Sequence, residues 1–218
     1  MRKIIIFASF FIFLLTFPNS NVAQQISIIE EYFVNFVKEI QKSTVEILTY
    51  NESGILVSRG MGFFVDKKGT IISNRHLFFG ISKAIAVTYE GDSIPVLNVI
   101  AEDKRADLIK ISSKKIPKGS NYLELEVDIP EIWEPVFAIG YALSIGRTIS
   151  YGFIHSILPI PTFGEVYSNT LPLPDASSGT PVINREGKVS GITVFITHGD
   201  TNYHCAIPSI RIAIYLTI

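Results

Sequence analysis

Gly60-Met61-Gly62-Phe63-Phe64-Val65-Asp66-Lys67-Lys68-Gly69-Thr70-Ile71-Ile72-Ser73-Asn74-Arg75-His76 is the stretch from which the fold is read. Gly60–Val65 is an apolar run of strand length, Asp66–Gly69 is a charged turn ending in glycine, and Thr70–Ser73 is a second β-rich run. Polar Asn74 and Arg75 stop that strand and leave His76 just past its end, where an imidazole can be fixed as a general base. A histidine at a strand end is more often a surface or structural residue, so the rest of the chain must supply its partners.

Working outward, short β-rich runs recur at Thr44–Tyr50, Ala84–Tyr89, Val96–Glu102 and Leu108–Ile111. The polar stretch Ser112–Asn121 has the composition of a linker, and a second set follows at Val136–Gly140, Thr148–Ile157, Pro181–Asn184, Lys188–Ile196 and His204–Ile207. Two groups of short strands predict an all-β architecture of two barrels, about 44–113 and about 120–208, within one domain spanning 44–218. Ile29, Phe33, Phe36, Val37 and Ile40, at spacings of three and four, predict an N-terminal amphipathic helix over 24–43. Ser209–Ile218 reads as a short C-terminal helix.

The chain has 218 residues with 19 basic and 20 acidic side chains, and its hydrophobic content of 47% rules out intrinsic disorder. Mixed charges without a basic stripe exclude a nucleic-acid binder. The single cysteine, Cys205, can form no intramolecular disulfide and reads as a small buried residue. His155, His198 and His204 are scattered without carboxylates at ligand spacing, so neither a metal site nor a cofactor is expected. Arg2 and Lys3 precede Ile4–Phe17, in which 12 of 14 residues are apolar, and Ala23 offers a small residue for cleavage. That order is a secretory signal over 1–23, too short to span a membrane; a retained leader would act as an anchor instead.

Two further segments carry chemistry. In Asp175-Ala176-Ser177-Ser178-Gly179-Thr180-Pro181 a hydroxyl sits among small residues in a tight turn, although such clusters are usually only turns. Asp107 opens the run Leu108–Ile111, where a carboxylate can cap a turn or orient an imidazole. His76, Asp107 and Ser178 thus occur in that order, each at the edge of a strand.

The combination resembles the trypsin-like serine proteases, and among them the HtrA/Deg-type branch. Gly60–His76 is similar to that family's histidine segment, and Ala106-Asp107-Leu108-Ile109-Lys110-Ile111 to its aspartate run, one residue shorter. Val136–Gly140, Ser178-Gly179-Thr180-Pro181-Val182-Ile183-Asn184 and Ala206-Ile207-Pro208 resemble its later strands, so the likeness covers about residues 44–210. It implies a chymotrypsin-like pair of six-stranded antiparallel barrels, without an appended PDZ domain. The site would lie in the cleft, with His76 and Asp107 from the first barrel and Ser178 from the second.

The resemblance implies an exported serine endopeptidase acting through an acyl-enzyme. It makes Ser178 the nucleophile, with Ser177 as the rival, and places the oxyanion hole at the N–H groups of Ala176 and Ser178. Ala176 stands where the family has glycine, Thr180 replaces a second glycine, and Val194 stands where relatives often carry a hydroxyl near the aspartate. These departures leave open the alternative of a weak or inactive fold-mate that grips extended peptides. Leu173, Pro174, Thr193, Val194 and Phe195 are the candidate substrate-pocket residues. Polypeptides are the implied substrates, oligomerisation is compatible with the family, and the location is periplasmic, cell-surface or extracellular.

Overall fold

The computed structural model describes residues 20–142, 146–161, 163–173, 177–198 and 201–215. The chain divides into two compact units, one ending at Lys38 and the other beginning at Glu39. Helix α1 (Ser20–Ser43) runs directly into the first strand, and of its predicted apolar face Val37 and Ile40 are buried while Phe33 is exposed. Among the described residues no helix is long and apolar enough to cross a membrane.

The first half of the body comprises β1 (Thr44–Tyr50), β2 (Leu56–Phe64), β3 (Thr70–Asn74), β4 (Lys83–Val87), β5 (Ser93–Pro95), β6 (Asn98–Asp103) and β7 (Leu108–Ser112). They form one sheet in the order β5-β4-β1-β2-β3-β7-β6. The two edge strands are neighbours in sequence, separated only by Val96 and Leu97. Val96 N–H donates to Ala84 O on one side at 3.1 Å, and Leu97 N–H donates to Ser112 O on the other at 2.8 Å. The sheet therefore curls until its edges are two halves of one bent strand, giving a six-stave barrel-like curl. Val45, Ile47, Phe64, Ile71, Ala86, Ile94, Ile109 and Ile111 fill it.

The second half is a closed barrel of β8 (Pro135–Ala142), β9 (Gly146–Ile160), β10 (Gly164–Asn169), β11 (Pro181–Ile183), β12 (Val189–His198) and β13 (Thr201–Pro208), in the order β10-β13-β12-β11-β8-β9. Its core is Val136, Ala138, Ile154, Tyr167, Leu171, Val182 and Ala206. Helix α2 (Ser209–Tyr215) follows β13. The all-β, chymotrypsin-like expectation holds, with one closed six-stranded barrel and, in place of a second, a curled sheet of seven strands.

Sequence patterning missed β5, which reads as a turn beside Gly91 and Asp92, and β10. In β10, Val166 and Tyr167 are both buried, so the expected alternation of inward and outward residues is broken. The strand is held by pairing with both β9 and β13, a tertiary effect.

The polar link between the halves is bonded to both of them. Ser113 N–H donates to Gly69 O at 3.0 Å and Leu123 N–H to Phe64 O at 2.9 Å, on the first half. Glu126 N–H donates to Val189 O, and Val189 N–H to Glu124 O, each at 2.8 Å, on the second. The stretch that reads as a linker, Ser112–Asn121, is thus tied to the first half at Ser113, and the residues that follow it, Leu123–Glu126, bond to both halves.

Candidate active site

Residues 76 and 107 meet because of strand register. β3 and β7 are antiparallel with Asn74 opposite Leu108, so the residues just beyond that pair emerge at the same end of the sheet. His76 lies on a single 3₁₀ turn, Arg75–Phe78, which follows β3. Its backbone N–H donates to Asp107 Oδ1 at 2.8 Å, and its ring Nδ1 lies 2.5 Å from Asp107 Oδ2. Both carboxylate oxygens of Asp107 therefore face one residue. A carboxylate oxygen facing Nδ1 is the arrangement that orients an imidazole ring.

Asp107 adopts a left-handed backbone, with φ of 56°. For an L-residue this costs about 1–2 kcal/mol, though aspartate tolerates it better than most. Arg75 N–H at 2.9 Å and Asn74 Nδ2 at 3.1 Å both donate to Asp107 O, and the two bonds to its carboxylate complete the set. At about 1 kcal/mol net per bond, these contacts offset the strain. Asn74 and Arg75, which in the sequence read only as strand stops, are thus part of the site. Arg75 also donates through Nε to Glu102 Oε2 at 2.6 Å, and this bond holds the Glu102 carboxyl below its usual range.

Ser178 sits in the tight turn Ser177–Thr180, closed by Thr180 N–H donating to Ser177 O at 3.0 Å. Gly179 occupies the third position with φ of 84°, as a type II turn requires. The turn is docked on the first half, where Met61 N–H donates to Ser178 O at 2.7 Å. Gly60 lies under this contact. A Cβ there would lie 2.9 Å from Ser178 O and would overlap the side chain of Leu77, the residue after His76. Ser178 and the His76 turn therefore border the same glycine. Ser178 retains 9% exposure, whereas Ser177 is wholly buried.

The pocket candidates fall in different places. Thr193 is buried, and its hydroxyl donates to Ser177 O at 2.5 Å while accepting from Thr180 N–H at 3.1 Å. That side chain clamps both ends of the Ser178 turn, a role its sequence position did not reveal. Val194 is buried, Phe195 packs edge-on against His204 at 4.8 Å, and Leu173 packs partly buried on the second core. Pro174 and Ala176, with Asp175 between them, lie outside the described residues. Phe78, at the end of the His76 turn, lines a groove of about 400 Å³ with Ile81, Ala84, Pro95, Val96 and Leu97. Cys205 is no competing nucleophile, because burial pushes its thiol up to about 11.

A strand-end histidine oriented by an aspartate, and a serine turn docked beside it from a second barrel, define the class to which comparison with known proteins points. The trypsin-like peptidase domain matches residues 60–192, a span that contains His76, Asp107 and Ser178. The chain belongs to that family. It is 30% identical over 162 residues to a "Probable periplasmic serine endoprotease DegP-like" of Chlamydia pneumoniae, covering 70% of this chain and 32% of that protein. It is 28% identical over 201 residues to "Serine protease HTRA2, mitochondrial" of Bos taurus, covering 84% of this chain and 43% of that one. The match thus spans about a third to two fifths of the length of these curated relatives.

Proposed function

We propose that the chain is a serine endopeptidase of the HtrA/Deg type, exported by its leader, that hydrolyses polypeptides through Ser178, His76 and Asp107. The observation that carries this reading is the double contact of Asp107 with His76, at 2.8 and 2.5 Å, made at the end of the barrel where the Ser178 turn docks. Ser178 Oγ attacks the scissile carbonyl carbon as His76 Nε2 takes its proton. The C–O bond forms, and the negative charge passes to the carbonyl oxygen, where backbone N–H groups such as that of Ser178 stabilise it. His76 gives the proton to the amide nitrogen as the scissile C–N bond breaks and the carbonyl re-forms, releasing the amine. Water then attacks the acyl-enzyme by the same route and releases the acid and the free serine. Asp107 keeps the imidazole in the productive tautomer and stabilises its protonated form. In serine proteases, losing that carboxylate lowers kcat by about 10⁴-fold. The complete burial of Ser177 supports Ser178 as the nucleophile.

Export is supported by the charged, apolar and small-residue order of 1–23 and by relatives named as periplasmic. One expression experiment in a bacterial host tests both parts of the proposal. The exported chain should begin at Gln24 by intact mass and should degrade an unfolded protein, while Ser178→Ala should be exported equally and degrade nothing. An uncleaved chain contradicts the export reading. Equal degradation by Ser178→Ala contradicts the catalytic one.

A further inference from the structure

We propose that Arg211, on the C-terminal helix α2, is a positioning residue for Asp107, acting through Asp103 and the turn between β6 and β7. The inference rests on the triad proposed above. Asp103 is paired across the hairpin with Leu108, so only four residues, Lys104–Asp107, connect the two strands. The last of them carries the left-handed backbone that aims the carboxylate at His76. A strained conformation persists only where its surroundings over-determine it. Asn74, Arg75 and His76 restrain Asp107 from one side.

Asp103 restrains the turn from the other side. Its Oδ1 accepts from the N–H groups of Arg105 and Ala106, each at 3.0 Å, which sets the path of the loop. Its Oδ2 accepts from Arg211 Nε at 2.8 Å. The same guanidinium donates through Nη1 to Phe163 O, in the bend between β9 and β10. One side chain therefore ties the C-terminal helix, the rim of the second barrel and the turn bearing Asp107. The pair is largely removed from solvent, with side-chain exposures of 16% for Arg211 and 8% for Asp103. Burial works against the charge on Asp103, but the bonds from Arg211, Ala106 and Arg105 outweigh it and hold the carboxyl below its usual range.

A four-residue hairpin needs no buried ion pair to form, and such pairs are poor sources of net stability. This one fixes an orientation: with Oδ2 held by Arg211, Oδ1 can point only at the turn amides. The fork of an arginine meets both the carboxylate and Phe163 O, which a lysine ammonium matches only in part.

The test compares the full chain with Arg211→Met, Arg211→Lys and the double variant Asp103→Asn/Arg211→Met. The double variant removes both buried charges, so neither is left unpaired in the interior, and the amide at position 103, freed of Arg211, no longer has its oxygen held toward the turn. Two readouts are taken: kcat and KM for peptide hydrolysis, and the downfield proton resonance of His76 Nδ1–H. Arg211→Met and the double variant should lower kcat by about 10²-fold, the size of effect a misplacement of about 1 Å produces, with KM little changed. Both should lose the resonance, and Arg211→Lys should recover part of each signal. A wild-type kcat with an unmoved resonance in the double variant overturns the inference, whatever its thermal stability. A wild type inert toward peptides, whose resonance nevertheless disappears with Arg211→Met, overturns the protease reading and leaves the positioning role standing.

Discussion

At Gly179, with φ of 84°, a Cβ would overlap Met61 O and lie 2.8 Å from Met61 C and 3.0 Å from Ser73 Oγ. Those atoms are themselves fixed, since Ser73 Oγ donates to Met61 O at 2.7 Å, so neither can step aside cheaply. Gly119 is the matched control: it has φ of 90° and open space where its Cβ would stand. Gly119→Ala therefore meets only the backbone penalty of about 1–2 kcal/mol. Gly179→Ala adds an overpacking cost of about 1–3 kcal/mol and pushes the Ser178 turn off the first barrel. Thermal denaturation should show a drop of several degrees for Gly119→Ala, about 2–4 °C per kcal/mol, and a clearly larger one for Gly179→Ala. Equal shifts would mean that the Met61 contact does not restrain the turn.

At the scale of elements, two turns are organised by buried or half-buried carboxylates. Asp66 accepts from Lys68 N–H, Thr70 N–H and Thr70 Oγ1 in the β2–β3 turn, and Asp103 does the equivalent in the β6–β7 turn. In both, desolvation opposes the charge and hydrogen bonds overcome it, so the folded carboxyls sit below their ordinary range. The sign of the pH dependence follows. In acid the unfolded chain binds protons that the folded one does not, so the stabilisation is complete above the unfolded pKa of about 4 and fades as pH falls toward the folded values. Urea midpoints should therefore decline from about pH 5 downward, and the Asp103→Asn/Arg211→Met variant should decline less steeply. Parallel declines would show that Asp103 is not depressed in the folded chain.

For the whole molecule, what could be read from sequence depended on whether the controlling interactions were local. The β2–β3 hairpin and the position of His76 were legible because apolar alternation, turn and polar stop lie within 17 residues. The order of His76, Asp107 and Ser178 was legible as a pattern, but their approach depends on the Asn74–Leu108 register and on Met61 receiving the Ser178 turn. Thr193 read as a pocket residue because its hydroxyl meets partners 13 and 16 positions away. The Arg211–Asp103 bond joins residues 108 apart, and no periodicity announces it.

The proposed chemistry needs both halves at once, since the base and its orienting carboxylate come from the curled sheet and the hydroxyl from the closed barrel. The most direct test is reaction of the native chain with a fluorophosphonate, which phosphonylates only an activated serine, followed by mass spectrometry of the modified peptide. The account predicts one adduct, on Ser178, that disappears in Ser178→Ala and is slowed by orders of magnitude in His76→Ala. An unmodified wild type, an adduct on Ser177, or undiminished labelling of His76→Ala would contradict it.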